Sequence, residues 1–130
     1  MLAVDTNVLI RLFVDDNTLQ HQTVKSFFSE LDPSERVFVS LVVTTELVWV
    51  LESVYGFSKE RISDAIDLLL ETGQVSLQKS IAVYFATQLY RKGADFADAL
   101  ISALAEDAGC SATLTLDKRA IKKAGMTLLE

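Results

Sequence analysis

Acidic residues directly follow two of the predicted strands. Asp5 comes after a short apolar strand at residues 1–4, and Asp117 comes after a strand at residues 112–116. In parallel sheets, ligands bind beyond the carboxyl ends of the strands, so both carboxylates face one crevice if both strands are central in the same sheet. Each acid also precedes a predicted helix, and Asp is a favoured helix N-cap. Capping is therefore the simpler interpretation of either acid taken alone.

Glu46 lies among apolar side chains of a predicted helix at residues 42–55. Two valines stand one turn before it, and Trp49 and Val50 stand one turn after it on the same face. We expect this face to point at the core, where an ionised carboxylate is costly unless it is paired or binds a metal. The pattern predicts that Glu46 points into the crevice and needs a positive partner there. A Glu at the rim of the face, reaching water, is the alternative.

Asp95 and Asp98 lie at the start of a predicted helix at residues 95–108 and share one face of it. The positive end of the helix dipole favours acids at this place, and simple capping is the alternative for Asp95. Small residues, Ala99 and Ser102, continue the face of Asp98, and an apolar face lies beside it. We therefore expect Asp98 at the boundary of the core.

Several carboxylates in one crevice raise each other's pKa and require a compensating charge. The single histidine and the single cysteine exclude multi-histidine and cysteine-rich metal sites, and oxygen-only sites suit Mg²⁺ or Mn²⁺. Such ions, held by carboxylates and water, cut or transfer phosphate esters. The residues predicted to hold the metal are Asp5, Glu46, Asp98 and Asp117, with Asp95 as a fifth.

Basic side chains accompany two of these acids. Arg11 follows Asp5, and the short helix after Asp117 carries a cluster made of Lys118, Arg119, Lys122 and Lys123. Contact with nucleic-acid phosphates is the functional interpretation, and a solvated helix face is the alternative. The net charge of −6 argues against a nucleic-acid partner at first sight. Two divalent ions in the acidic site would offset four of these six charges.

The elements that position these residues alternate along the chain. Predicted strands lie at residues 1–4, 36–40, 75–78, 112–116 and 126–129, and predicted helices at 7–14, 17–31, 42–55, 58–72, 81–91, 95–108 and 118–124. This alternation predicts an α/β fold with a mainly parallel sheet.

Composition favours one soluble domain over residues 1–130. Half of the residues are hydrophobic and the mean hydropathy is +0.30, which excludes a disordered chain. The N-terminus has no basic leader, and the apolar stretch at residues 38–57 is broken by Glu46 and Glu52, so neither a signal peptide nor a membrane span is expected. We expect a cytoplasmic protein. Its high hydropathy indicates apolar surface covered by a partner or by a second copy.

Four motifs occur in order along essentially the whole chain: VDTNVLI, TTELVWVL, DFADALISALA and TLDKRA. Together they resemble the PIN-domain family, and more closely the VapC-like ribonuclease toxins of bacterial and archaeal toxin–antitoxin modules. The resemblance implies a three-layer α/β/α fold with a short parallel sheet. It also implies RNA cleavage with Mg²⁺ or Mn²⁺, a cognate antitoxin and a homodimer.

By position, the acids of the family fall on four residues of this chain, namely Asp5, Glu46, Asp98 and Asp117. Asp95 matches an acid that often stands three residues before the third of these. Asn7 and Thr115 match polar positions that flank the site, where they would orient carboxylates or waters.

Two alternatives remain open at this point. A small-molecule phosphohydrolase also uses a strand-end Asp with Mg²⁺, although the DTN motif at Asp5 lacks the second acid of the DxD pair. A non-catalytic module is the other alternative, with acids that only bind a basic segment of a partner. Hydrolysis of a generic aryl phosphate tests the first alternative, and metal-dependent turnover would exclude the second.

Overall fold

A computed structural model describes residues 1–130. Its elements are β1 Leu2–Ala3, α1 Thr6–Phe13, α2 Thr18–Ser29, β2 Val37–Val39, α3 Leu41–Ser53, α4 Lys59–Glu71, β3 Val75–Leu77, α5 Ser80–Arg91, α6 Phe96–Asp107, β4 Leu114–Thr115, α7 Lys118–Ala124 and β5 Thr127–Leu128. The chain divides into two compact units. The first contains residues 1–58 and 68–78, and the second contains residues 59–67 and 79–130.

The first unit is built on a parallel three-stranded sheet in the order β1-β2-β3. Leu2 pairs with Val37 across the first ladder, and Val37 pairs with Val75 across the second. The central strand is the most apolar, and its Val37 and Val39 are fully buried. Helices α1 and α3 complete this core with five further buried side chains, which are Leu9, Ile10, Leu47, Val48 and Leu51.

The second unit contains a separate parallel pair, β4 with β5, in which Leu114 pairs with Thr127. Tyr90 of α5 is 1% exposed, and its ring meets the ring of Phe96 of α6 edge to face at 5.8 Å. The Lys59 ammonium lies 3.8 Å from the centre of the same Tyr90 ring, a cation–π contact. Tyr90 and Phe96 are both part of the buried core of this unit.

The predicted α/β class with parallel strand pairing is confirmed, with one correction. The strands that precede Asp5 and Asp117 belong to different hydrogen-bonded sheets, whereas the sequence argument placed them in one. The strands are also shorter than predicted, because only two residues of β4 and two of β5 pair. None of the helices is both long and apolar enough to cross a membrane.

Lys79, just before α5, is the one residue other than glycine with a positive φ, at 53°. Its ammonium pairs with the Asp107 carboxylate at 3.1 Å, but both side chains are more than half exposed, so the pair contributes little. We expect Lys79→Gly to stabilise the protein by about 1 kcal/mol, because glycine adopts this conformation without a Cβ clash. Lys79→Ala loses the same ion pair but keeps the strain. Urea unfolding that gave equal stabilities for the two variants would contradict this account.

Candidate active site

Asp5 lies between β1 and α1 in the first unit, where it caps the helix. Its Oδ1 accepts a hydrogen bond from the Val8 backbone N–H at 3.2 Å, so the capping interpretation is correct. The side chain is exposed. A carboxylate offers about four lone-pair positions, and the cap uses one of them. Capping therefore leaves Asp5 able to bind a cation as well.

Glu46 of α3 is exposed, and the expectation that its face points at the core is wrong. Val42 and Trp49, on the same face, are 74% and 62% exposed. The helix instead buries a neighbouring stripe that includes Thr44. A threonine can lie in this core because its hydroxyl donates to the Ser40 carbonyl at 3.0 Å. The other buried residues of the stripe are Leu47, Val48 and Leu51.

Asp95 and Asp98 lie at the start of α6 in the second unit. Asp95 is the N-cap, and its Oδ2 accepts a hydrogen bond from the Asp98 N–H at 3.0 Å. Asp98 is partly exposed while Ala99 beside it is buried, which is the expected boundary position. Burial raises the pKa of the Asp98 carboxyl, and repulsion by Asp95 and Asp117 raises it further. These three acids are therefore close enough to interact electrostatically.

Asp117 caps α7 through its Oδ1, which accepts from the Arg119 N–H at 2.8 Å. The Asp117 N–H donates in turn to Thr115 Oγ1 at 3.0 Å. Thr115 thus holds the backbone of the loop from which Asp117 projects. This contact supports the expectation that Thr115 positions an acid of the site.

The donor chemistry of the five acids fits a hard divalent cation. All the donors are carboxylate oxygens, and none of these acids takes part in an ion pair with Lys or Arg. Burial is the larger cause of the raised pKa of Asp98, and the charges of Asp95 and Asp117 add a repulsion that a bound cation would offset. The structure brings no three acidic, His or Cys side chains together closely enough to hold a metal ion. The fit to a divalent cation therefore rests on the chemistry of the donors.

The predicted basic residues fall into two environments. The four on α7 are exposed and form no ion pairs, and they are Lys118, Arg119, Lys122 and Lys123. Arg11, in contrast, is mostly buried, with its side chain 19% exposed and its Nη1 paired with Asp16. The Tyr55 hydroxyl lies 3.5 Å from the same Nη1 and donates to Asp16 at 2.9 Å.

The contacts of Arg11 with Asp16 and Tyr55 were not recognised in the sequence. Tyr55 is 44 residues from Arg11, so no local pattern could have connected them. His21 also belongs here, since its Nδ1 lies 2.7 Å from the Arg11 carbonyl oxygen. Asn7 lies one turn before Arg11 on α1. It is exposed and lines a cavity together with Asp5.

The structure is an α/β protein with short parallel strands. Three of its helices begin at aspartate N-caps, and carboxylates suit a divalent cation. The PIN domain family matches residues 2–126, and the chain belongs to this family. The predicted PIN-like α/β/α fold class is confirmed with it. The chain is also similar to a VapC ribonuclease of Aquifex aeolicus, with 30% identity over 127 residues that cover 96% of this chain and 93% of the relative.

The raised pKa of Asp98 leads to a stability prediction. The folded state binds a proton more tightly than the unfolded state, so stability falls as the pH rises from the unfolded pKa through the raised folded value. We expect Asp98→Asn to raise the melting temperature of the metal-free protein at pH 7, and to have no such effect near pH 3, where both states are protonated. Thermal unfolding at the two pH values checks this.

The exposed Asp15 provides a matched control, and Asp15→Asn should leave the melting temperature nearly unchanged. Added Mg²⁺ should stabilise the wild type more than the Asp98→Asn variant. An equal or lower melting temperature for Asp98→Asn at pH 7 would contradict the charge repulsion.

Proposed function

We propose that the chain is a metal-dependent endoribonuclease and the toxin of a type II toxin–antitoxin module, acting in the cytoplasm as one nuclease domain over residues 1–130. The observation that carries this proposal is the match of the PIN domain family to residues 2–126, in a chain whose motif acids are free of ion pairs. The relative from Aquifex aeolicus is named a ribonuclease, and the similarity to this chain covers 93% of its length. This supports RNA as the substrate.

In this proposal Asp5, Glu46 and Asp98 hold a first Mg²⁺ or Mn²⁺. Asp117 and Asp95 hold a second ion, or water bound to it. When bound, such an ion polarises a phosphodiester and lowers the pKa of water enough to supply a nucleophile at neutral pH.

The protein's own part is to place the carboxylates. Asp5, Asp95 and Asp117 are each fixed by a hydrogen bond to the first turn of a helix. Thr115 secures the backbone at Asp117, and Asn7 orients a carboxylate or a water near Asp5. No histidine is required as a general base, because a bound metal would lower the pKa of the attacking water.

We also propose a cognate antitoxin and a homodimer as partners. The exposed face of α3 supports a protein partner, because Val42 and Trp49 leave apolar surface uncovered on either side of Glu46. A partner on this face would lie against a carboxylate of the proposed site, as expected of an inhibitor.

Cleavage of total cellular RNA by purified, antitoxin-free protein tests the activity. We expect discrete fragments with Mg²⁺ or Mn²⁺ and none with EDTA. Asp98→Asn should lower the rate on the order of 100-fold or more, because it removes a proposed metal ligand. Asp107→Asn makes the same substitution at the other end of α6, in an exposed ion pair with Lys79, and should keep full activity.

Full activity of Asp98→Asn would remove this residue from the site. Hydrolysis of an aryl phosphate without cleavage of RNA would instead indicate a phosphohydrolase. Metal binding without turnover of either substrate would indicate an interaction module.

The exposed lysines of α7 lead to a second test of the proposal. If Lys122 and Lys123 contact RNA phosphates, replacing both by Gln weakens RNA binding by the inactive Asp98→Asn protein. The slope of log affinity against log salt should fall by about 0.7 for each lost contact with single-stranded RNA. Lys25→Gln, at an exposed position of α2, is the control. An unchanged slope in the double variant would leave these lysines as a solvated helix face.

A further inference from the structure

A cavity of about 290 Å³ lies between α1 and α2 beside Asp5, within the first unit. Val8 and the buried Val24 provide its apolar lining. The rest of the lining consists of polar side chains, which are Asp5, Asn7, Arg11, Gln20 and Thr23. The cavity therefore combines an apolar surface with hydrogen-bonding groups, as small-molecule sites do.

The hydrogen-bonding groups of this cavity are largely unused within the chain. No protein group bonds the side-chain amides of Asn7 and Gln20, both of which are exposed. Arg11 Nε is buried without a hydrogen-bond partner, and an unpaired buried donor is costly. Thr23 donates its hydroxyl to the Leu19 carbonyl at 2.9 Å, which leaves the oxygen free to accept. An incoming ligand with both donors and acceptors would bond the exposed amides of Asn7 and Gln20 and the oxygen of Thr23.

Charge favours a neutral ligand over an anion. The Arg11 guanidinium is already paired with Asp16. The hydrogen bond from the Tyr55 hydroxyl lowers the pKa of the Asp16 carboxyl, and the charge of Arg11 lowers it further. Asp16 thus stays ionised and offsets the only cation of the cavity, while Asp5 adds a further negative charge. A phosphate would be repelled, whereas a flat neutral ring with polar edges would not.

The volume of about 290 Å³ is at the lower limit of the roughly 300–1,000 Å³ that hold drug-sized ligands. It suits one heterocyclic base rather than a longer piece of a chain. Proteins that recognise RNA by sequence hydrogen-bond the edges of unpaired bases, and side-chain amides such as that of Gln make paired donor and acceptor contacts with them.

We propose that this cavity, which we call the base pocket, accepts one unpaired base of the RNA next to the bond that is cut. The proposal rests on the proposed ribonuclease function, because Asp5 is both a lining residue and a proposed metal ligand. Gln20 determines which base is accepted, through the donor and acceptor of its side-chain amide. Arg11, held by Asp16 and Tyr55, forms the inner wall.

Partial digestion of an RNA pool with a randomised unpaired region, followed by sequencing of the new ends, tests the base pocket. We expect the wild type to prefer one base at a position flanking the cut. In Gln20→Ala, the ratio of cleavage at this base to cleavage at the other bases should fall on the order of 10-fold. Gln20→Glu keeps the length of the side chain but lacks the donor, so it should change the preferred base. Gln22→Ala, at an exposed position of the same helix outside the cavity, should match the wild type.

A binding measurement separates this proposal from the ribonuclease function. An unpaired oligonucleotide added to the metal-free wild type should shift the NMR signals of the Gln20 side-chain amide and leave those of Gln22 in place. Cleavage with an unchanged base preference in Gln20→Ala would overturn the base pocket alone. Shifts without any cleavage would support the pocket and overturn the ribonuclease. The absence of both shifts and cleavage would overturn both proposals.

Discussion

A helix leaves the N–H groups of its first turn without partners inside the helix, and this chain meets that requirement with the acids of its candidate site. Helices α1, α6 and α7 each begin at an aspartate whose carboxylate accepts a backbone N–H. Capping and metal binding were opposing interpretations of these acids in the sequence. They are compatible in the structure, since a cap uses part of a carboxylate and fixes the orientation of the rest. The carboxylates are thus oriented before any ligand arrives, which reduces the cost of binding one.

Local signals explain why most helices could be predicted closely. The helix predicted at residues 95–108 runs over Phe96–Asp107 because Asp95 caps its start and Gly109, with a φ of +87°, follows its end. The helix at 118–124 was predicted with the same bounds, between Asp117 and Gly125. Strands carry no comparable signal, because a ladder depends on residues distant in the sequence. The strand predicted at 112–116 therefore pairs only at Leu114 and Thr115.

The sequence proposes which residues form the candidate site, but it could not predict the environments in which the structure places them. Helix α3 buries Thr44 together with Leu47 and its neighbours, and the Ser40 carbonyl accepts from the Thr44 hydroxyl. The Glu46 face, which hydrophobicity assigned to the core, is exposed instead. Arg11 was predicted as a phosphate contact from its charge alone. Its ion pair with Asp16 is supported by Tyr55, which follows α3 and lies 44 residues from Arg11 in the sequence. No local pattern reveals that contact with Tyr55.

The two ends of α1 have different chemical roles in this picture. Asp5 caps the first turn, and Arg11 lies in the last turn, about 9 Å further along the helix axis at 1.5 Å per residue. Tyr55 and Asp16 hold the Arg11 end, and the sheet strand β1 leads directly into the Asp5 end. A base seated between α1 and α2 would therefore lie at a nearly constant distance from the Asp5 carboxylate. One short helix, held at both ends, would then determine which base enters and which neighbouring bond is presented for cleavage.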